Sequence, residues 1–498
     1  MKRYPAAVLL LLLTGCNDSD NSSENTSSTD DTIDTTSPIN VTEKDTDSSV
    51  FISDLDVGLD IDFLSSVSFT IQPMPGTFSK PIKATFTPDA LTATESGFLL
   101  PVFGLYSGYD NQVTVDITLT DGSTRSVSTQ ITTSEYIDPN GSYDNLQINK
   151  KLDTNNIAFS YLHLENNTDQ GPIIVDVDGN VRWTANTPTS DYRYALFENG
   201  RFIIQDNDEL VYLSLTGDEE RLKITSSQLT QIRPHHETSK GKTGYFLNVD
   251  TTKNGNNLVE SVLLEVDQNG NEIDHWDFGE IISTHLTENS EDPSDFIRNG
   301  IDWFHMNSAI YSPDDDSIIV SSRENFVVKI DYASKKMKWL LGDETKHWFV
   351  NHPSLQPLSL TSSDTKPIGQ HALSIVNGEL MLFNNGQLSF NQPAGAPTGI
   401  ALASSLAMSF AIDESSMTAD ATWIYDAGIF SDICSSVYKS GDNYLITYSA
   451  VDRTNDNPSR VVIRAIDSSE LILFEIELDG TCRPWNTNYV ELSNLTYQ

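Results

Sequence analysis

The feature that narrows the fold most is a phrase that returns four times in the later part of the chain. "IIVDVDGNVRW" ends at Trp183, "LLEVDQNGNEIDHW" at Trp276, "VVKIDYASKKMKW" at Trp339 and "FAIDESSMTADATW" at Trp423. Each runs strand, Asp-containing turn, strand, tryptophan. Alternating apolar residues bounded by Gly, Asn and Asp mark strands. The tryptophan can fill the space between neighbouring sheets. Weaker copies at 211–222 and 461–478 make six units. A hairpin that repeats along a chain buries its apolar face by stacking on its copies. Four-stranded units repeated radially make a β-propeller. The expected fold is all-β, with a six-bladed β-propeller over 140–498 and no convincing helix. Tandem β-sandwiches are the alternative.

The units share an earlier hairpin as well. "HETSKGKTGYFLNVD" opens at His236, "HMNSAIYSPDDDSIIVSSRE" at His305 and "HALSIVNGELMLFNNG" at His371. All three begin His-x-x-Ser, with Ser239, Ser308 and Ser374 in register. Asp432 takes the histidine position in "DICSSVYKSGDNYLITYS", and Tyr192 takes it in "YRYALFENGRFIIQD". The first strand of each propeller blade lines the central channel, so equivalent positions face one another around the axis. One histidine among apolar residues, as in "DWFHMNS", is ordinarily a hydrogen-bonded core residue. Three in register, with Tyr192 and Asp432, are expected to ring one mouth of the channel.

Arg323 ends the strand of "VSSRE", where the chain returns toward that mouth. An arginine there needs an anionic partner, either a bound anion or a local carboxylate such as Glu324 or Asp316. Three histidines also raise metal binding. No HExxH motif and no Cys/His ligand cluster is present, however, and a nearby arginine would repel a cation. No metal is expected, and no glycine-rich phosphate loop calls for a nucleotide cofactor. "SPDDDS" at 312–317 reads as a solvated turn rather than a calcium loop.

Ahead of the propeller, "SVSFTIQPM", "IKATFTP", "QVTVDITLT" and "RSVSTQITT" alternate with turns, Asp121-Gly122 among them. They predict a small β-sandwich over 50–136. Residues 16–49 are rich in Ser, Thr and Asp and read as a disordered tether. Lys2 and Arg3 precede "AAVLLLLL", and "LTGC" ends at Cys16. This is the pattern of a bacterial secretory signal over 1–15, similar to a lipobox in which Cys16 is acylated. An ordinary signal peptide cut nearby is the alternative. Asn17 after the cysteine favours outer-membrane sorting. The protein is expected on the periplasmic side of the envelope, touching membrane only through its lipid. Cys434 and Cys482 remain, and an oxidising compartment permits one disulfide between them; the sequence leaves the pairing open. The net charge of −41 would repel phosphate backbones, so nucleic acid is not expected as a partner. A homodimer is left open.

With these residues in view, the chain resembles the exported, nucleotide-independent bacterial aryl-sulfate sulfotransferases. "FLLPVFGLYSGYDNQVTVDITLTDGS" is similar to that family's N-terminal sandwich. "DWFHMNSAIYSPDDDSIIVSSRENFVVKID" followed by "WLLGD", and "GQHAL" followed by "LFNNG", are similar to its most distinctive stretches. The resemblance implies a six-bladed propeller that moves a sulfuryl group from a phenolic sulfate ester to a phenol. It implies a covalent sulfohistidine and no cofactor. By motif the nucleophile falls on His371, and the sulfate-binding and transition-state residues fall on His305, Asn307 and Arg323. The paired-histidine motif falls on His235-His236, and register favours His236. Tyr192 and Trp303 are candidates to flank the aromatic rings, though Trp303 reads equally as core. The family's "LFDNG" has Asn384 here in place of its Asp, and its close-spaced cysteine pair is absent. A binding propeller without catalysis and a metal-dependent hydrolase are the alternatives.

Overall fold

The computed structural model describes residues 38–44, 49–138, 141, 143, 146–151, 157–165, 171–185, 194–453 and 459–498. The leader, Cys16, most of the expected tether and Tyr192 lie outside these. Among the described residues no helix is long and apolar enough to cross a membrane.

Period-two patterning builds the N-terminal sandwich. Asp110–Leu119 buries Asn111, Val113, Val115, Ile117 and Leu119 and turns the alternate residues outward. Its hairpin to Thr124–Thr132 turns at Gly122, whose φ of +84° suits glycine. Asp121 accepts from the Ser123 amide at 2.8 Å. One sheet has the order Val41–Lys44, Ile52–Val57, Phe98–Phe103, Thr92–Ala93. The other runs Leu495–Tyr497, Ile82–Phe86, Leu64–Ile71, Asp110–Leu119, Thr124–Thr132. Two expectations are corrected here. Val41–Lys44, placed in the tether, is an exposed edge strand on Ile52–Val57. Leu495–Tyr497, placed in the propeller, pairs in parallel with Ile82–Phe86, and Tyr497 stacks on Phe86 at 4.7 Å. Covering that edge buries apolar surface and pairs open backbone groups.

Six further sheets follow, each antiparallel. Leu229–Lys240, Met306–Ser312, His371–Val376, Ser436–Ser440 and Asn486–Val490 pack on one another in that order as inner strands. The ring closes through Tyr194 against Trp485, with centroids 5.6 Å apart, and Trp183 against Phe202 at 5.3 Å. This is a β-propeller, and it is latched twice. Asn486–Val490, near the C-terminus, pairs with Tyr161–Glu165 as the inner strand of the first sheet. Gln147–Lys151, from the N-terminal side, pairs with Ile472–Asp479 as the outer strand of the last.

The recurring tryptophans join successive sheets. Trp183 Nε1 donates to the Leu215 carbonyl at 2.9 Å, and Trp276 Nε1 to the Tyr332 carbonyl at 3.1 Å. Trp339 Nε1 donates to Glu414 Oε1 at 3.0 Å. Trp423, on the fifth sheet, stacks on Tyr444 of the sixth at 4.1 Å. The first three rivets therefore pair the one polar atom of the ring while burying the rest.

The longer of two unforeseen α-helices among the described residues follows the third sheet. Phe278–Glu288 starts at Asp277, whose side chain accepts from the Glu280 amide, and it buries Phe278, Ile282 and Leu286 at i, i+4, i+8. Its signal is a single apolar stripe inside a strand-rich sequence. The acidic turn at 314–316 is held by lysines: Asp315 pairs with Lys329 and Lys338, and Asp316 with Lys242.

Trp276 is fully buried, while Trp423 is partly exposed. Trp276→Ala should cost on the order of 3–5 kcal/mol, read as a lower thermal midpoint. Trp423→Ala should shift the midpoint less. Equal shifts would show that hydrogen-bonded burial is not what makes the rivet.

Candidate active site

The His-x-x-Ser phrase is a β-bulge. Pairing on the third sheet breaks between Pro234 and Thr238, on the fourth between Met306 and Ser308, and on the fifth between His371 and Ser374. Positive φ marks the same places: His236 at 58°, His305 at 52° and Ala372 at 54°. A bulge takes residues out of the ladder and re-aims their side chains. The ladder resumes at Thr238 on the third sheet and at the serines, Ser308 and Ser374, on the fourth and fifth. Ser239 Oγ donates to the Ala309 carbonyl at 2.7 Å, and Ser308 Oγ accepts from the Leu373 amide at 3.0 Å. Ser239 and Ser308 thus clasp one sheet to the next, while His236 lies within its skipped stretch, His305 just ahead of the first paired residue and His371 on the last pair before the break.

The three rings converge. His236 and His305 centroids are 4.7 Å apart, and His236 and His371 are 6.4 Å apart. His235 lies 5.8 Å from His305 and pairs with Glu260. His236, not His235, is the ring beside His371.

His371 is buried, and its tautomer can be read from its neighbours. Asn385 Nδ2 donates to the carbonyls of Ser431 at 2.8 Å and Cys434 at 3.0 Å. Its Oδ1 is thereby turned to His371 Nδ1 at 2.7 Å. An acceptor at Nδ1 places the ring proton there and leaves the lone pair on Nε2. Burial, and then the Arg323 charge, push the His371 pKa down to about 3. The imidazole is neutral at physiological pH.

His305 is the opposite case. Its Nδ1 lies 2.6 Å from both Asp302 Oδ2 and Glu260 Oε2. Burial disfavours its charge, but the two carboxylates outweigh that and raise its pKa to about 9. Glu260, despite burial, is held far below the usual carboxylate range by His235 and His305. His236 is pushed well down by burial and by its histidine neighbours. One charged and two neutral imidazoles therefore share a few ångströms.

Arg323 is buried and follows Ser322 at the end of Ser317–Ser322. Its Nη1 donates to Glu324 Oε1 at 2.7 Å, and its guanidinium lies 3.9 Å over the Phe390 ring. Glu324 also accepts from the Phe390 and Asn391 amides. Both kinds of partner anticipated for Arg323 thus have a place: Glu324 takes Nη1, while Nη2 is buried with no partner among the described residues. A buried charged donor left open marks where an anion would sit. Asn307 Nδ2 donates to the Gln370 carbonyl at 2.8 Å and keeps a second hydrogen. Gln370 Nε2 in turn holds Ser321 Oγ and the Ser322 carbonyl. One network therefore links the backbone beside His371 to that beside Arg323.

Other expected residues sit differently. Asp432 gives its carboxylate to Arg453, with Oδ2 2.5 Å from Nη2, so it is not free at the channel mouth. Trp303 is core, buried against Phe296 and Phe304. The aromatic rings beside the site are instead Phe390 and Trp485, the latter 6.1 Å from His236. Cys434 and Cys482 form a disulfide with Cα atoms 6.0 Å apart. Glu260, Asp302 and Asn385 were not singled out from sequence. "LFNNG" contained Asn385; Glu260 sits in a different strand pair and carries no local signal.

The absence of clustered carboxylate and histidine ligands, expected from spacing, does not hold in space. His235, His236 and Glu260 form one group able to ligate a metal, and Glu260, Asp302 and His305 another. The lone pair of His305 Nδ1 is unavailable while the ring is protonated, which weakens the second set. A cleft of about 1110 Å³ lies elsewhere, lined by Lys253, His275, Glu280 and Lys335. It contains none of the converging histidines, so size does not identify the chemistry.

The propeller thus presents a neutral, oriented imidazole at His371 and a buried arginine at Arg323 in one hydrogen-bonded network. The chain belongs to the arylsulfotransferase family: the arylsulfotransferase (ASST) profile matches residues 133–489, and the arylsulfotransferase Ig-like domain matches 55–134. It is 27% identical over 213 residues to the arylsulfate sulfotransferase AssT of Escherichia coli O6:H1 (strain CFT073). That alignment covers 34% of this chain and 35% of the relative, about a third of its length. It is 23% identical over 427 residues to the arylsulfate sulfotransferase AssT of Lelliottia amnigena, covering 66% and 70%. Among solved structures, the β-propeller domain of Cps50 (Swd1) from Myceliophteria thermophila matches with a TM-score of 0.34 at 6% identity. The match covers 64% of this chain and 86% of that one. The propeller assignment rests on the sheet order described above.

If the carboxylate pair sets the His305 charge, its ring should titrate near pH 9 in an NMR experiment. Glu260→Gln should move that titration toward the ordinary value of 6.5. An unchanged titration in Glu260→Gln would show that Asp302 alone sets it.

Proposed function

We propose that the protein is an aryl-sulfate sulfotransferase working by two successive displacements through a sulfohistidine at His371. The observation that carries this is the pairing of a neutral His371, lone pair on Nε2, with a buried Arg323 whose Nη2 has no partner. A phenolic sulfate ester supplies the sulfuryl group. His371 Nε2 attacks sulfur, the N–S bond forms and the S–O bond to the aryl group breaks. His305, protonated at neutral pH, gives its Nε2 proton to the departing phenolate, and phenol leaves. An incoming phenol returns a proton to His305 as its oxygen attacks sulfur, and the N–S bond breaks. Arg323 Nη2 and the second amide hydrogen of Asn307 meet the sulfuryl oxygens, where charge gathers in both steps. Splitting the transfer lets one site serve donor and acceptor in turn. Phe390 and Trp485 supply aromatic surface for the phenol. The leader and Cys16 support export and lipid anchoring at the outer membrane, and the disulfide fits an oxidising compartment.

Turnover of a chromogenic aryl sulfate should require an added phenol. Fast release of free sulfate without phenol would instead favour a metal-assisted hydrolase at the Glu260 cluster. Donor alone should leave one sulfuryl group on His371, mapped at alkaline pH because the N–S bond is acid-labile. His371→Asn should abolish the adduct, whereas His236→Asn and His305→Asn should slow it without removing it. Asn385→Leu should slow adduct formation with little change in donor KM, because it frees the ring tautomer without touching substrate. A label on His236 or His305 would refute the assignment.

Arg323→Ala should lower both half-reactions by about 10²–10³-fold. Arg323→Lys should restore only part of this, since an ammonium cannot replace a planar fork held by Glu324. Near-native rates in Arg323→Ala would make the residue a structural partner of Glu324.

A further inference from the structure

A second histidine cluster lies outside this site. The connection between the fourth and fifth sheets forms the short helix His347–Val350 and the 3₁₀ turn Pro353–Leu358. His347 and His352 are only 4% and 3% exposed. The Phe296 ring lies against both, with centroids 6.0 and 5.3 Å away. A buried imidazole has two nitrogens to satisfy. His352 Nδ1 lies 3.3 Å from Glu291 Oε2, and Glu291 Oε1 also accepts from the Ser354 amide at 2.7 Å. The Nε2 atoms of His347 and His352 are both buried without a hydrogen-bond partner among the described residues.

Both orphan atoms lie near one carboxylate. His347 Nε2 is 3.1 Å from Asp295 Oδ2, and His352 Nε2 is 3.8 Å from Asp295 Oδ1. The shorter approach is an ion-pair distance without the alignment of a hydrogen bond. One ligand atom from each of the three residues falls within 4.8 Å of the others. Tetrahedral zinc with bonds of about 2.0–2.1 Å sets neighbouring ligand atoms roughly 3.3 Å apart. The two histidine-to-carboxylate separations, 3.1 and 3.8 Å, lie within half an ångström of that spacing. The Glu291 contact is the outer-shell carboxylate that zinc-bound histidines usually have: it protonates Nδ1 and leaves the Nε2 lone pair for the metal. Asp295 is 55% exposed, which gives a route in from solvent and room for a water. Arg298 is the opposing charge nearby, and its guanidinium is turned to the Asn391 carbonyl.

We propose that His347, His352 and Asp295 bind a zinc ion, with water as fourth ligand and Glu291 behind His352. The metal ties the segment following helix Phe278–Glu288 to the connection between two sheets. That segment continues to Asp302 and His305, so the site fastens the chain that carries the charged imidazole. It is a structural site, and it stands whether or not the sulfuryl chemistry is as proposed.

The test uses the full-length protein stripped of metal, titrated with Co²⁺ as a coloured substitute and with Zn²⁺ by calorimetry. Wild type should take up one equivalent with the visible absorption of tetrahedral cobalt. Asp295→Ala alters an exposed side chain, so the fold should survive, as an unchanged metal-free thermal midpoint would show. It should lose the cobalt band and weaken zinc at least tenfold. Glu291→Gln should weaken zinc by about 10–100-fold. Zinc should raise the thermal midpoint of wild type and not of Asp295→Ala. Glu260→Gln separates this site from the histidine cluster at the channel and should leave the cobalt band intact. No cobalt uptake, an unchanged band in Asp295→Ala, or loss of the band in Glu260→Gln would each overturn the proposal.

Discussion

The bulge at the head of an inner strand is the constraint from which the site follows. A regular antiparallel strand would commit every backbone group to the ladder and alternate its side chains between the two faces of the sheet. The register breaks within or directly beside each histidine: His236 is skipped, His305 precedes the paired Met306, and His371 is the last pair before the break. Positive φ at His236 and His305 is the local cost, of order 1–3 kcal/mol for each such residue. The clasping bonds Ser239–Ala309 and Ser308–Leu373 over-determine the arrangement. One short motif therefore serves both stability and chemistry, and the two roles fall on different residues of it.

Electrostatics then divides labour among rings that are otherwise alike. His371 and His236 are neutral because burial and neighbouring positive groups disfavour charge. His305 is charged because two carboxylates meet its Nδ1. When environments push like groups apart, acid and nucleophile become distinct. The chain is strongly acidic overall, at −41, so an anionic substrate meets repulsion everywhere except at such a place. Arg323 is fixed by Glu324 on one side, and its other nitrogen is left open. In the proposed transfer that asymmetry gives the guanidinium a set direction without neutralising the donor the substrate needs.

How much of this was legible depended on whether the signal was local. Alternation, turns and the returning tryptophans lie within single hairpins, and the sheets and their rivets follow from them. The His-x-x-Ser register was visible, but its meaning as a bulge was not, because a bulge is defined by the partner strand. Glu260 and Asp302 could not be singled out as partners of His305, since one comes from another sheet and the other from a loop. Asp432 shared the histidine register, yet Arg453, a surface residue further along, takes its carboxylate. The strand Leu495–Tyr497 reads as any short β-segment; only the open edge of a distant sheet decides where it goes. Trp303, beside His305 in "DWFHMNS", is core. The conflict in that stretch is resolved at His305, whose backbone takes a positive φ while Trp303, Phe304 and Met306 pack in the core.

The closure of the ring and the orientation of His371 also share residues. Asn385 can present Oδ1 to His371 only while its amide hydrogens are held by the Ser431 and Cys434 carbonyls. Cys434 is bonded to Cys482, whose amide donates to the Ser449 carbonyl. The Ser435 amide donates to the carbonyl of Trp485, whose ring faces His236. The joint between the sixth sheet and the strand that completes the first is thus pinned by a covalent bond and two backbone bonds, directly beneath the imidazole. Placing the latch here makes the tautomer of one histidine depend on the same contacts that keep the propeller shut.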